Sequence, residues 1–315
     1  MFFGRVLLVW VIGFSCLLSF AFGATILPDD EVEILRQIAK KLGNTNWKFS
    51  VDPCSRQGGW VSPSPNPNDK LPNGVTCNCS LVNSTGCHVV SIRLKSLSLP
   101  GVLPPELARL PYLREIDLTR NYLNGPIPPE WGSMRLVNIS VLGNQLSGSI
   151  PKELGNISTL VSLVLESNRF SGVLPPELGN LSNIERLHIS SNYFTGELPE
   201  ELARLTKLKE FRISDNHFTG KIPNFIQYWT NLEKIAIQAS GLEGPIPSSI
   251  SLLEKLTDVR ISDINGTGTA FLPLSKMENM NRLIMRNCNI TGKIPAYLGN
   301  MEKLKTLYSL SLSLK

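Results

Sequence analysis

Between Leu187 and Pro223 the sequence reads "LHISSNYFTGELPEELARLTKLKEFRISDNHFTGKIP" and states one motif twice. An apolar residue (Leu187, Phe211) is followed two places on by another (Ile189, Ile213). The sixth place holds Asn192 and Asn216; then come Phe, Gly, Leu or Ile, and Pro. The second copy starts 24 residues after the first. Further copies start at Ile92, Ile116, Ile139, Leu163, Ile235, Val259 and Leu283. Every interval is 24 except the 23 between Ile116 and Ile139. A repeat of this length is one coil, which can bury its apolar side only against its neighbours.

Alternate side chains of a short strand point to opposite faces, so the first and third places point inward. Strands of successive coils then stack as a parallel sheet on the concave face of a right-handed coil. An asparagine at the sixth place bonds backbone groups of its own turn and of the neighbouring coil, satisfying polar groups that burial would leave costly. Asn121, Asn144, Asn168, Asn192 and Asn216 form this ladder, and Cys288 stands at the same place in the last coil. Repeats of this kind accept Cys there, so Cys288 reads as a structural, inert thiol. Ser240 and Ile264 break the ladder, and "DINGTGTAFLP" delays the proline by two residues. That irregular turn reads as decay of the repeat or, alternatively, as a docking point. Gly and Pro shape the return turns. The pattern is an α/β leucine-rich-repeat solenoid, with nine repeats over residues 89–306. A tenth should start at Leu307, but Ser309 and Leu312 occupy its second inward and asparagine places. A slip of three residues would instead put Leu310 and Leu312 in the strand. Residues 307–315 therefore read as an aberrant or truncated tenth repeat that exposes an apolar edge.

Residues 1–23 read as a signal peptide: Arg5, an apolar run from Val6 to Phe20, then the small residues of Ala21-Phe22-Gly23. The uncharged run from Val6 to Leu27 is also long enough for an uncleaved signal anchor. Export implies an oxidising compartment, where cysteines pair. Residues 24–88 form the expected N-terminal cap. Its "DDEVEILRQIAKKLG" reads as a helix capped by Asp29 or Asp30, with Ile34, Leu35, Ile38 and Leu42 on one face and Gly43 as its stop. Cys54, Cys77, Cys79 and Cys87 make it a disulfide-stabilised cap; three pairings are possible, and Cys54–Cys77 with Cys79–Cys87 is preferred. The single residue between Cys77 and Cys79 does not fit the paired units of a zinc site. Sequons at Asn83, Asn138, Asn156, Asn180, Asn265 and Asn289 read as glycosylation acceptors. Asn78 is the weakest of the sequons, because Cys79 is its middle residue. The net charge of +5 without a Lys/Arg run argues against a nucleic-acid partner.

Trp47, Asp52-Pro53-Cys54, Trp60 and Gly74-Val75-Thr76-Cys77, together with repeats of Gly-x-Ile-Pro form, resemble the ectodomains of plant leucine-rich-repeat receptor-like kinases. The stretches "PGVLPPELARLPYLREIDLTRNYLNGPIPPEWGSMRLVNIS" (Pro100 to Ser140), "FRISDNHFTGKIPNFI" and "RNCNITG" are similar to the subgroup that also carries a malectin-like domain. The resemblance spans residues 28 to about 307. It implies further repeats, a malectin-like domain, one transmembrane helix and a cytoplasmic Ser/Thr kinase in intact relatives. This sequence holds no Gly-rich phosphate loop, His-Arg-Asp or Asp-Phe-Gly motif, so neither enzymatic activity nor a cofactor is expected of it. The implied role is a secreted or cell-surface recognition module for an extracellular peptide, a carbohydrate or a co-receptor protein. Membrane contact would come only through regions outside this sequence or through the signal anchor.

On such a module the concave columns are the candidate contact surface: Arg93, Asp117, His188, Arg212 and Arg260, flanked by Arg186, Glu210, Lys234, Arg282 and Arg286. Their basic excess points to a partner with acidic groups, a peptide carboxylate or a uronic-acid polymer. The alternative is a solvated face with interspersed Glu and Asp. A glycan on Asn138 would cover part of it. His88, His188 and His217 are the only histidines; His188 has no triad spacing to a Ser or Cys, His88 borders the cap and His217 follows a ladder Asn, so no catalytic role is expected of them. Two rival functions are a secreted inhibitor of cell-wall-degrading enzymes, of the polygalacturonase-inhibitor kind, and a fragment of an active transmembrane kinase. The first usually ends in a cysteine-bearing cap, and no cysteine follows Cys288.

Overall fold

The inward strand places from Ile92 and Leu94 to Leu283 and Met285 are each 0–1% exposed. They define the solenoid axis in a computed structural model that describes residues 26–63, 71–81 and 86–308. The strands are parallel and in the register expected from the sequence: Ile92 lies beside Ile116, Leu187 beside Phe211, and Val259 beside Leu283. Burying a leucine in such a stack contributes about 1.5–3 kcal/mol, and each coil gains it only from its neighbours.

The concave sheet has twelve strands rather than nine. Two antiparallel strands of the cap, Val61–Ser62 and Asn73–Asn78, pair ahead of His88–Arg93. At the other end Thr306–Tyr308 adds a parallel strand with Leu283 beside Leu307. The three-residue slip is therefore not adopted at 306–308; Leu310, Leu312 and the rest of 309–315 lie outside the described residues. Leu307 and Tyr308, on the last described strand, are 44% and 52% exposed.

The return turns do more than the Gly-Pro reading anticipated. Asn124–Gly125, Gln145–Gly148, Arg169–Gly172, Tyr193–Gly196 and His217–Phe218 build a second parallel sheet of five strands. Between them Phe170, Phe194 and Phe218 stack with centroids 6.3 Å apart, forming a spine at one repeat place. The coil then closes through short 3-10 helices that begin after a proline, from Pro105–Arg109 to Ala296–Asn300. The indoles of Trp131 and Trp229 donate to the carbonyls of Pro104 and Leu202 in the preceding coil at 2.9 and 2.8 Å.

In the cap the helix runs Asp29–Leu42 with Ile34, Leu35, Ile38 and Leu42 buried. Gly43 ends it at φ 70°, a left-handed angle that favours glycine. Neither aspartate caps it: Pro28 holds the N-cap, and Asp29 and Asp30 lie inside the first turn, where they face the positive end of the helix dipole. Buried Glu31 faces inward, accepting the Val89 N–H at 3.0 Å and meeting His88 Nδ1, which fastens the helix to the first repeat. Of the three pairings open to the sequence, the structure contains Cys54–Cys77 and Cys79–Cys87. Trp47 stacks on Trp60 at 4.7 Å, and Arg36 lies 4.4 Å from the centroid of Phe49. The signal segment 1–23 and Asn83 lie outside the described residues. Among the described residues no helix is long and apolar enough to cross a membrane.

Candidate functional site: the charged concave face

Successive coils bring the candidate residues into three groups along the sheet. In the first, Arg93 lies 3.4 Å from Glu115 and 3.8 Å from Asp117, while Lys95 lies 3.1 Å from Asp117. Arg93 and Asp117 are buried, 7% and 8% exposed. This corrects the expectation of open contact groups: they brace the junction of cap and solenoid.

The second group centres on Glu210. Its Oε1 accepts from Lys234 Nζ at 3.0 Å. Its Oε2 accepts from Arg212 at 3.2 Å, lies 3.1 Å from His188 Nε2 and is 4.0 Å from Arg186 Nε. Glu166 approaches the other ring nitrogen, Nδ1, at 3.7 Å. His188, read from sequence as a contact residue, is only 6% exposed, covered by these long neighbours. Burial, helped by the charge of Arg212, depresses its pKa to about 4, so the ring is neutral near pH 6. Burial raises the pKa of Glu166, partly opposed by Arg212. For Glu210 burial acts upward, but the hydrogen bond and charge of Lys234 outweigh it and leave the pKa lowered.

In the third group Arg260 grips Asp258 with two bonds of 2.9 and 2.7 Å, and Arg282 adds a third at 3.0 Å. Arg286 lies 3.6 Å from Asp263. Between the first and second groups Asn138, Ser140, Ser162 and Val164 form an uncharged stretch on adjacent strands. The face thus alternates in sign, since most cations neutralise a carboxylate one coil away or two residues away. Arg186 and Arg286 keep the most open side chains, 47% and 55% exposed. Among the described residues no group of three or more His, Cys, Asp or Glu could hold a metal ion.

The ladder behind this face is continuous from Asn121 to Asn216. Asn192 donates to the carbonyls of Leu165 at 3.0 Å and Ile189 at 3.2 Å, and its Oδ1 accepts the Phe170 N–H at 3.0 Å. Where Ser240 breaks the pattern, the Phe218 N–H turns to the Ser240 backbone carbonyl at 2.9 Å. At Cys288 the single S–H has two carbonyls within reach, those of Ile261 at 3.4 Å and Arg286 at 3.2 Å. It is 2% exposed, and burial pushes its pKa up to about 11. A thiol so shielded and so rarely ionised reacts slowly. Iodoacetamide is expected to label Cys288 of the native chain at least about 100-fold more slowly than after unfolding, read by mass spectrometry; equal rates would contradict a ladder role.

The sequons divide between faces. Asn138 opens from the concave sheet, Asn156 and Asn180 end two convex 3-10 helices, and Asn265 and Asn289 are exposed on the edge of the late coils.

A periodic strand face, an asparagine ladder and a disulfide cap define a leucine-rich-repeat solenoid. The leucine-rich-repeat family model matches residues 112–134, 159–181, 183–205, 207–229 and 279–301. The gap at 230–278 contains the ladder breaks Ser240 and Ile264. More particularly, the chain matches the ectodomain portion of plant receptor kinases. It is 55% identical over 143 residues to a probable leucine-rich repeat receptor-like serine/threonine-protein kinase of Arabidopsis thaliana, an alignment covering 44% of this chain and 14% of that protein. A second probable receptor-like kinase of that plant is 48% identical over 135 residues, 42% of this chain and 13% of the relative. The alignments thus span about a seventh of these relatives' length. Among solved structures, the HAESA ectodomain of Arabidopsis with an N-terminally extended IDA peptide hormone has a TM-score of 0.66 at 27% identity, over 91% of this chain and 49% of that one. The GASSHO1/SCHENGEN3 ectodomain from Arabidopsis thaliana, in complex with CASPARIAN STRIP INTEGRITY FACTOR 2, has a TM-score of 0.63 at 27% identity, over 88% and 35%.

Proposed function

We propose that the chain is a non-catalytic recognition module, secreted or at the cell surface, that binds an extracellular peptide or a co-receptor protein through its concave face. It corresponds, on this reading, to the ectodomain portion of a plant receptor-like kinase of the subgroup with a malectin-like domain. The observation that carries the reading is the alternating charged face, whose fixed cations and carboxylates and uncharged gap suit a partner bearing both signs. The complex of HAESA with a peptide hormone and that of GASSHO1/SCHENGEN3 with CASPARIAN STRIP INTEGRITY FACTOR 2 support that class of partner. Arg186 and Arg286 are the best-placed contacts, since the other cations are more fully engaged in internal pairs. The test is capture from extracellular plant fluid by the wild-type chain and by Arg186→Glu/Arg286→Glu, with bound species identified by mass spectrometry. A peptide or ectodomain retained by the wild type and lost by the variant is expected. Retention of the same species by both would contradict the assignment of this face.

A further inference from the structure

On the convex side, the 3-10 helices Pro105–Arg109, Pro129–Ser133 and Lys152–Asn156 flank an open groove of about 730 Å3. That volume lies within the ~300–1,000 Å3 of sites that hold small organic ligands. Ala108 and Gly132 occupy the same place in successive coils and line the groove with almost no side chain. A Cβ at Gly132 would run into the backbone of Glu153, so the open lining is tied to how the coils pack. Glu106, Glu130 and Glu153 bring a carboxylate from each of three coils. Arg109, donating to Gln37 at 2.9 Å, closes the end nearest the cap.

Asn156 forms part of the wall. It is exposed, ends its helix, and is the acceptor of the sequon Asn156-Ile157-Ser158. Ile157 is fully buried, and the Ser158 N–H bonds the Asn156 carbonyl at 2.9 Å, so the attachment point is held in place. We propose that the groove is the seat of the first N-acetylglucosamine residues of an N-linked glycan carried by Asn156. The apolar ring faces of these sugars match the small lining residues, and their hydroxyl and acetamide N–H donors match the three carboxylates. The covalent tether makes docking intramolecular, so modest contacts suffice to populate it.

The chain contains its own control. Asn180 ends the next helix, Pro176–Asn180, at the same place in the repeat. It too is exposed and carries a sequon, Asn180-Leu181-Ser182, but it does not line the groove. The two glycans leave equivalent backbone positions and differ in having a seat beside them.

The test is native-state release by an endoglycosidase that cuts within the glycan core, followed site by site by mass spectrometry on the full chain made in plant cells. The Asn156 glycan is expected to leave roughly tenfold more slowly than the Asn180 glycan, because cleavage must await undocking. The two rates are expected to coincide in denatured protein. Ala108→Arg, which fills the groove, is expected to remove the protection. Glu130→Lys is expected to reduce it at an exposed position that tolerates change. Equal native rates at the two sites, an unglycosylated Asn156, or protection unchanged in both variants would overturn the proposal. It stands or falls independently of whether the concave face binds a partner.

Discussion

Replacement of Asn192 by alanine is expected to lower the free energy of unfolding by about 4 kcal/mol, among the largest effects of any single polar substitution. The side chain is 4% exposed and meets backbone groups in two coils. Its loss strands the Phe170 N–H and weakens satisfaction of the Leu165 and Ile189 carbonyls, all inside the stack. Each buried group left without a partner costs about 1–3 kcal/mol. A solenoid holds together only through neighbouring coils, so the loss falls on one interface and is also expected to broaden the transition. Asn192→Cys is expected to recover part of the stability, since the Cys288 thiol reaches backbone carbonyls at the equivalent place. Urea denaturation followed by circular dichroism measures both. A loss below about 1 kcal/mol in the alanine variant would show that the ladder is not what satisfies these groups.

Stability is also expected to rise between about pH 4 and 6.5 through His188. The folded ring has its pKa depressed to about 4 by burial and by Arg212, against about 6.5 in an unfolded chain. In that window the unfolded chain binds a proton that the folded chain does not, so acid favours unfolding. At about 1.4 kcal/mol per pKa unit the full effect approaches about 3 kcal/mol, and it is flat above pH 7. Glu210, with its pKa lowered, acts in the same direction: its contribution is lost as acid protonates it. Glu166, with its pKa raised, opposes both and reduces the net slope. Arg186, Arg212 and Lys234 frame the cluster through their contacts with Glu210. Unfolding of wild type and His188→Gln at pH 4.5, 5.5, 6.5 and 7.5 separates the terms. The variant should show a visibly shallower slope; an identical slope would mean that His188 is protonated in the fold.

The solenoid was legible because its period is set by the coil itself. Ile92 through Leu283 pair in the expected register since one residue of slip would turn every inward side chain to solvent. The five-stranded second sheet was not anticipated. Its strands are two to four residues long, and their pairing depends on how the coils stack. The alternation of Phe170, Phe194 and Phe218 with exposed neighbours was the available signal. The concave face was read as columns with a basic excess, with interspersed Glu and Asp as the alternative; the pairing of those carboxylates with the cations was not read. Arg93, Asp117 and His188 belong to outward places yet are buried, because long side chains on strands one coil away close over them. Many of the cancelling pairs lie 22 to 24 residues apart in sequence, as in His188 with Glu210 and Lys234 with Glu210. A column-by-column reading does not couple them. The helix cap failed for a local reason: Pro28, not an aspartate, precedes the first turn.

The central claim is that the alternating concave face is where a partner binds. Its most direct measurement is isothermal titration of the captured extracellular ligand into the wild-type chain and into Arg186→Glu/Arg286→Glu, after unfolding curves show the two equally stable. The account expects the variant to bind at least about 100-fold more weakly, near 3 kcal/mol for two charge-assisted contacts turned repulsive. Affinity equal to wild type would place the binding surface elsewhere on the solenoid.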